Sequence, residues 1–408
     1  MKKIFSFLFV MLLLKQLPAQ TKITSLLTNN TIQPNYITTP SPRFTWKLSA
    51  TQKNVVQTAY QVQVYQGKQL LWDSEKQLSD QSVYVLYHGK PLVSNTQYQW
   101  YVKVWTNLDK QPLASSTTFH TALMNETDWN AKWIVPGFVE SKERPSPIFR
   151  KEFALTKKIK NAFAYITAHG MYEANINGKR VGDAYLTPGW TSYNKRLQYQ
   201  TFDVTSLLQK GNNAVGVTLG SGWYRGIIGF ENNANFYGKD IALLMQVNIT
   251  YEDGSQELIV TDETWKSNTG ATAYAEIYNG EVIDARLEKK GWLQAGFDDS
   301  AWLQANEANY AKNTLVTTEN ELVKKHESIK PVKIFTTPKG EKVIDFGQNL
   351  VGWVKMKVKG EFGTKIVLSH AEVLDKYGNF YTDNLRAAKA QNTYVCSGTG
   401  EETFEPHF

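Results

Sequence analysis

The nine residues from Gln97 to Trp105 read QYQWYVKVW, and this strict alternation constrains the chain more than any other feature. A repeat of two means a strand with one covered face, because successive side chains leave the backbone on opposite sides. Tyr60 to Tyr65 (YQVQVY) repeats the pattern, and Arg43 to Leu48 supplies a third strand. Short alternating runs separated by polar turns fill residues 21–123, a length suited to a small antiparallel sandwich with Trp46, Tyr98 and Trp100 in its core.

Asn125 to Ile134 opens a second and larger β-region over residues 125–310, and the stretch up to Pro147 reads as a loop or linker. Its strands are expected near Phe149–Phe153, Asn161–Thr167, Met171–Ile176, Leu197–Phe202, Asn213–Leu219, Leu243–Tyr251 and Glu257–Val260. Asn177-Gly178 and Asp253-Gly254 are hairpin signals, since tight two-residue turns need residues that accept positive φ. Asp203-Val204-Thr205 reads as a capped helical turn. Asn306 to Lys330 is polar, and within it Asn320 to Lys325 reads as a helical turn or a plain connector. A third β-module occupies residues 331–408, with strands near Lys342–Phe346, Val351–Val358 and Lys365–Ala371. The fold class is all-β, as tandem sandwich modules. The close at Phe404-Glu405-Pro406-His407-Phe408 leaves a strand of that module without its partner, which reads as a truncated chain.

A chain of 408 residues exceeds what one core organises, in line with several domains. Lys2 and Lys3, the apolar run Ile4 to Leu14 and the small residue Ala19 before Gln20 have the form of a removable export signal over residues 1–19. The expected location is therefore periplasmic or secreted. No cysteine stands at the cleavage point to carry a lipid anchor, and no later segment is long and apolar enough to insert in a membrane. Cys396 is the single cysteine, so neither a disulfide framework nor a cysteine-based zinc site is available. The six histidines, His88, His120, His169, His326, His370 and His407, lack metal-ligand spacing. The net charge of +7 is spread out, with no basic block beyond patches such as Lys157-Lys158-Ile159-Lys160, which argues against nucleic acid as a partner. The 12 Trp, 21 Tyr and 19 Phe suit sandwich cores, and flat rings also stack on sugar faces.

The first module resembles a fibronectin type III or immunoglobulin-like sandwich. The segment from Leu186 to Gly226, LTPGWTSYNKRLQYQTFDVTSLLQKGNNAVGVTLGSGWYRG, is similar to the amino-terminal domain of bacterial α-L-rhamnosidases, glycoside hydrolase family 78. The likeness continues through Tyr237-Gly238, Glu276 to Glu281, Asp284-Ala285-Arg286 and Phe297 to Trp302. It then runs on through Asp345 to Asn349 and His370 to Leu374. The resemblance implies a jelly-roll, galactose-binding-like second domain and a partial concanavalin-like third one. It also implies an α-L-rhamnosidase that removes terminal L-rhamnose from plant or bacterial glycans with inversion. In that family a downstream (α/α)₆ barrel carries the two glutamates, one protonating the leaving oxygen and one activating water. No such barrel is present here, so no catalytic residue is assigned. Glu276, Glu281 and Asp284 are read as solvated acids on a hairpin, or as one ion pair with Arg286.

Some members of the family use the jelly roll to bind rhamnose through calcium, which takes six to eight oxygen ligands. Two loops here offer oxygens and rings. One runs from Asp183 to Trp190. The other is Glu231 to Asn235, flanked by Phe230, Phe236 and Tyr237. The expected sugar-binding residues are Asp183, Trp190, Asn232, Asn233 and Tyr237, with Asp183 and Asn232 as calcium ligands. Asp183-Ala184 lacks the amide expected beside the acid, and asparagine-rich loops also occur as plain turns. Trp223 and Arg225 read either as ligand-facing or as a core plug and the partner of a buried acid.

Three functions stay open on these grounds. The chain is the front part of a secreted rhamnosidase acting on a rhamnose-containing oligo- or polysaccharide, a free-standing carbohydrate-binding protein, or a structural array of β-domains.

Overall fold

The computed structural model describes residues 21–229, 232–318 and 320–408, which divide into two units at Thr121/Ala122. The export signal proposed over residues 1–19 lies outside the described residues. Among the described residues, no helix is long and apolar enough to cross a membrane.

The first unit is a sandwich. One sheet has the order Lys22–Thr28, Arg43–Ser49, Val85–Leu86; the other has Gln69–Asp73, Gln57–Gln66, Gln97–Thr106, Leu113–His120. Val62 lies opposite Val102, and Val64 opposite Trp100, so the alternation seen in the sequence becomes one continuous buried face. Phe44, Trp46 and Trp100 are all fully buried in that core. Each indole N–H there has its acceptor: Trp46 Nε1 donates to Gln57 Oε1 at 2.9 Å, and Trp100 Nε1 to Thr28 Oγ1 at 3.0 Å. Burying these rings therefore leaves no orphaned donor behind.

The second unit holds a larger sandwich. Ala242–Tyr251 is central to a seven-stranded sheet, between Ile159–His169 and Trp133–Val135. A six-stranded sheet, with Pro147–Leu155 and Gly211–Gly220 at its middle, faces it. Ile166, Ala168, Val217, Leu219, Leu243, Met245 and Trp265 fill the space between. The hairpin at Asn177-Gly178 has positive φ at both residues, +50° and +75°. At Asp253-Gly254 only Gly254 does so, at +82°. That turn is built differently, with the Asp253 carboxylate accepting the Ser255 N–H. Asp203 accepts the Thr205 N–H at the single turn Thr205–Leu207, whose N-cap position is held by Val204 without a side-chain cap.

Two expectations need correction. The polar connector holds strands: Leu315–Thr317 runs parallel to the Leu197–Asp203 strand, and Val323–Lys324 pairs with Ala184–Tyr185. Their shortness hides them from a periodicity argument. The strand expected from Val351 begins only at Met356.

The Phe297 to Trp302 motif is architectural. Arg150, buried by its own sheet, pairs with Asp299 and Glu152 and donates to the Trp292 and Gln294 carbonyls. Lys266 also reaches Asp299, at 2.7 Å. A buried guanidinium with each of its three nitrogens bonded to an oxygen is held as a positioned group, because leaving it unpaired would be costly.

The last module shares a sheet with the hairpin that precedes it. Gly280–Asp284 runs parallel to Gln391–Val395, which in turn pairs with Lys365–Ser369. The Met356–Lys359 and Glu401–Phe404 pair lies nearby in sequence, and Val358, Tyr394, Cys396 and Phe404 form a small core with Ile283.

Candidate functional site

The loop after Ile228 begins at a short turn whose backbone is pinned from below. Glu276 Oε1 accepts the Ile227 N–H at 2.7 Å, and Oε2 accepts those of Asn279 and Tyr278 at 2.9 and 3.2 Å. Burial pushes the Glu276 carboxyl up, opposed by these three hydrogen bonds. Arg225, buried next to the same turn, donates to Glu140 at 2.9 Å and to Ser221 Oγ at 3.1 Å. Its carbonyl accepts the Asn235 N–H, and Arg144 donates to Asn235 Oδ1 at 3.0 Å. The loop is thus fastened at both ends by charged groups. Asn232 and Asn235 adopt positive φ, +55° and +63°, a conformation that asparagine accepts better than most residues.

On this base stands an aromatic shelf. Trp190 is 52% exposed and Phe236 68%. Trp190 lies parallel to Trp223, with centroids 6.0 Å apart and planes within 5°. Trp190 Nε1 donates to Tyr237 Oη at 3.2 Å, and Tyr237 packs edge-on against Phe236 and Tyr193. Behind it Tyr224 is buried and stacks on His169, at 4.4 Å and 9°. Burial holds the His169 imidazole down to about 4, so it is neutral and serves the core. A cavity of about 440 Å³, lined by Thr191, Ser192, Arg196, Gln198 and Asn320, opens one residue beyond Trp190.

The structure brings Trp190 and Tyr237 into direct contact. Asn232 and Asn233 are exposed on the same loop as Tyr237, and Ile228 N–H donates to the Asn233 carbonyl. Asp183 stands apart. Gly182 rests on the Phe202 ring and Gly189 on the Gln198 side chain, positions four residues apart on one strand. The Asp183 carboxylate is 73% exposed and pairs with Lys324 Nζ at 2.9 Å. A calcium ion at Asp183 would compete with Lys324 for that carboxylate. Among the described residues no group of three or more His, Cys, Asp or Glu side chains is placed to hold a metal ion.

The two readings of Trp223-Tyr224-Arg225 divide between neighbours. Tyr224 is the core plug, Trp223 is half-buried against Trp190, and Arg225 is the partner of an acid. The three hairpin acids also divide. Asp284 grips Arg286 through two oxygens, at 2.8 and 2.7 Å, as the ion-pair reading expects. Glu276 and Glu281 are not solvated, at 3% and 0% exposure. Glu281 Oε2 accepts the His407 N–H at 2.6 Å, while its Oε1 has no hydrogen-bond partner. The residues that sequence reasoning missed are Glu140 and Arg144, which anchor the loop from a stretch read as a linker.

Comparison with known proteins follows this geometry along the chain. The family model described as "Rha78A-like, N-terminal immunoglobulin domain" matches residues 23–125. "Alpha-L-rhamnosidase N-terminal domain" matches residues 157–327, and "Bacterial alpha-L-rhamnosidase concanavalin-like domain" matches residues 335–408. The chain belongs to the bacterial α-L-rhamnosidase family. An α-L-rhamnosidase of Formosa agariphila is 35% identical over 384 residues, which is 90% of this chain and 41% of the relative. The crystal structure of the native α-L-rhamnosidase from Aspergillus terreus superposes with a TM-score of 0.90 at 36% identity, covering 95% of this chain and 46% of that one. The Streptomyces avermitilis α-L-rhamnosidase, solved in complex with L-rhamnose, gives a TM-score of 0.89 at 28% identity, covering 95% of this chain and 55% of that one. The chain spans about half the length of these rhamnosidases. Its modules are the immunoglobulin-like, amino-terminal and concanavalin-like domains of the family, and the sandwich architecture agrees with each of them.

Proposed function

We propose that this chain supplies the scaffold and a sugar-binding surface of an exported α-L-rhamnosidase, and that hydrolysis belongs to a helical barrel outside its 408 residues. The whole enzyme would release terminal L-rhamnose from glycans with inversion, using a carboxylic acid and a carboxylate held on that barrel. The observation that carries the binding claim is the exposed Trp190, held parallel to Trp223 and hydrogen-bonded to Tyr237. A flat ring presented to water and immobilised from behind accepts the C–H face of a sugar with little ordering cost. Asn232 and Asn233, on the same loop, supply amides for hydroxyl groups. The buried acids serve elsewhere: Glu276 holds the loop, and Glu281 holds the backbone at His407.

Calorimetric titration of the full chain with L-rhamnose tests the proposal. Trp190→Ala is expected to weaken binding at least tenfold while the melting temperature changes by only a few degrees. Saturating heats that the substitution leaves unaltered would place the sugar elsewhere. Repeating the titration in a chelator tests calcium: equal affinity is expected, since Asp183 is engaged by Lys324. A chelator-dependent loss would restore the metal to the site.

A further inference from the structure

The loop that carries Trp190 is fixed to one strand, and that strand also lines the cavity beside the shelf. Gln200 Nε2 donates to the Pro188 carbonyl at 3.1 Å, and the Tyr193 hydroxyl donates to the Gly189 carbonyl at 2.6 Å. Gln198, two positions before Gln200 on the same strand, lines the cavity with Thr191, Ser192 and Asn320. Its Nε2 donates to Asn320 Oδ1 at 2.6 Å, and its Oε1 would lie 3.5 Å from a Cβ placed on Gly189. The turn after Trp190 is closed in the same way. The Ser192 carbonyl accepts the Lys195 and Arg196 N–H groups at 2.7 and 2.8 Å, and the Thr191 hydroxyl donates to the Arg196 carbonyl. Both chain neighbours of Trp190 therefore border the cavity or its lining, and hydrogen bonds within the protein hold those walls in place.

The cavity of about 440 Å³ falls within the range of roughly 300–1,000 Å³ usual for small-molecule sites. Among the described residues no carboxylate lines it. Arg196, the charged residue of the lining, is not free. The groups left to a ligand are neutral: the Gln198 Oε1, to which no described residue donates, and the hydroxyl oxygens of Thr191 and Ser192. Such oxygens accept hydrogen bonds from the hydroxyl groups of an uncharged sugar.

We propose that the shelf and this cavity are adjoining subsites, so that the surface binds a disaccharide or longer glycan. The terminal rhamnose lies on Trp190, and the neutral sugar to which it is linked enters the cavity. This inference rests on the sugar-binding reading of the shelf and adds to it the position and chemistry of the second unit. Because both subsites are built on one fastened loop and strand, the second sugar is met without further ordering of the protein.

Calorimetric titration of the full chain with L-rhamnose and with rutinose, in which α-L-rhamnose is linked to glucose, tests the inference. Rutinose is expected to bind at least fivefold more tightly, and this ratio should be the same at low and high salt. Ser192→Trp, which fills the cavity from an exposed position, and Gln198→Met, which removes the acceptor at similar size, should each bring the ratio below two. Trp190→Ala should weaken both sugars at least tenfold. A wild-type ratio near one, with L-rhamnose binding still dependent on Trp190, would overturn the second subsite and leave the shelf standing. A ratio that both cavity variants preserve, or one that collapses in salt, would overturn it as well. Absence of Trp190-dependent binding of either sugar would overturn the reading of the shelf and the second subsite with it.

Discussion

Glu281 is the residue where burial and chemistry meet most sharply. Burial, aided by the charge of Glu173, pushes its carboxyl up to about 7, against the pull of His407 and two backbone N–H groups. His407 shows the reverse balance. Desolvation alone would lower its imidazole, but the hydrogen bond to Glu173 and the charges of Glu173 and Glu281 carry it up to about 9. Glu173 itself sits between His407 and Arg180, at 3.2 Å from each, and is held down to about 2. The signs then agree. A carboxyl raised by folding favours the protonated native state, so its contribution declines as pH rises from the ordinary glutamate range to about 7. A raised imidazole stabilises the fold below its ordinary value, and that stability is lost on the way to about 9. His169, held down to about 4 by burial, adds stability as pH rises towards its ordinary value and so opposes Glu281 there; the melting temperature should fall clearly from pH 7 to pH 9. Glu281→Gln should remove the loss of stability that Glu281 causes below pH 7 and move the upper fall to lower pH, because the Glu281 charge helps to raise His407, as read by thermal melts from pH 5 to pH 9. A Glu281→Gln profile that matches the wild type from pH 5 to pH 7 would show that Glu281 is not buried as described. None of this was legible in the sequence, where Glu276 and Glu281 look like acids on an exposed hairpin. Glu281 is covered by chain more than a hundred positions downstream, and Glu276 by the Gly226-Ile227 turn about fifty positions upstream.

At the scale of elements, the alternating strands were legible because each writes its buried face into consecutive residues, as at Gln97–Thr106. Short strands and long-range pairings were not. Val323–Lys324 is only two residues long, yet it supplies the lysine that pairs with Asp183. The shelf was half legible: the aromatic residues of both loops were singled out, but not the Glu140 and Arg144 anchors, because ion pairs leave no periodic trace. The parallel pairing of Gly280–Asp284 with Gln391–Val395 rests on one tight turn. Gly280 has φ +91°, and a Cβ there would sit 1.9 Å from the Gln391 carbonyl oxygen. Gly280→Ala should thus destabilise the second unit by about 2 kcal/mol or more, through backbone strain and a forced shift of the neighbouring strand. Urea unfolding followed by tryptophan fluorescence measures it. A change below about 0.5 kcal/mol would mean that the turn relaxes freely.

Over the whole molecule, the described carboxylates divide among structural tasks. Glu276 fastens a loop, Asp299 and Glu152 neutralise Arg150, Asp284 grips Arg286, and Glu281 and Glu173 surround His407. The chain matches three family domains in order while spanning about half the length of its relatives. That division of labour among these carboxylates supports the proposal of binding and support in place of bond cleavage. Incubating the purified chain with an aryl α-L-rhamnoside and following release of the aryl alcohol puts the assignment to its most direct test. The expected result is release no faster than in buffer, under conditions where Trp190-dependent binding of L-rhamnose is measured on the same sample. Turnover at an enzymatic rate by the 408-residue protein would contradict it and would place the hydrolytic acids among these sheets.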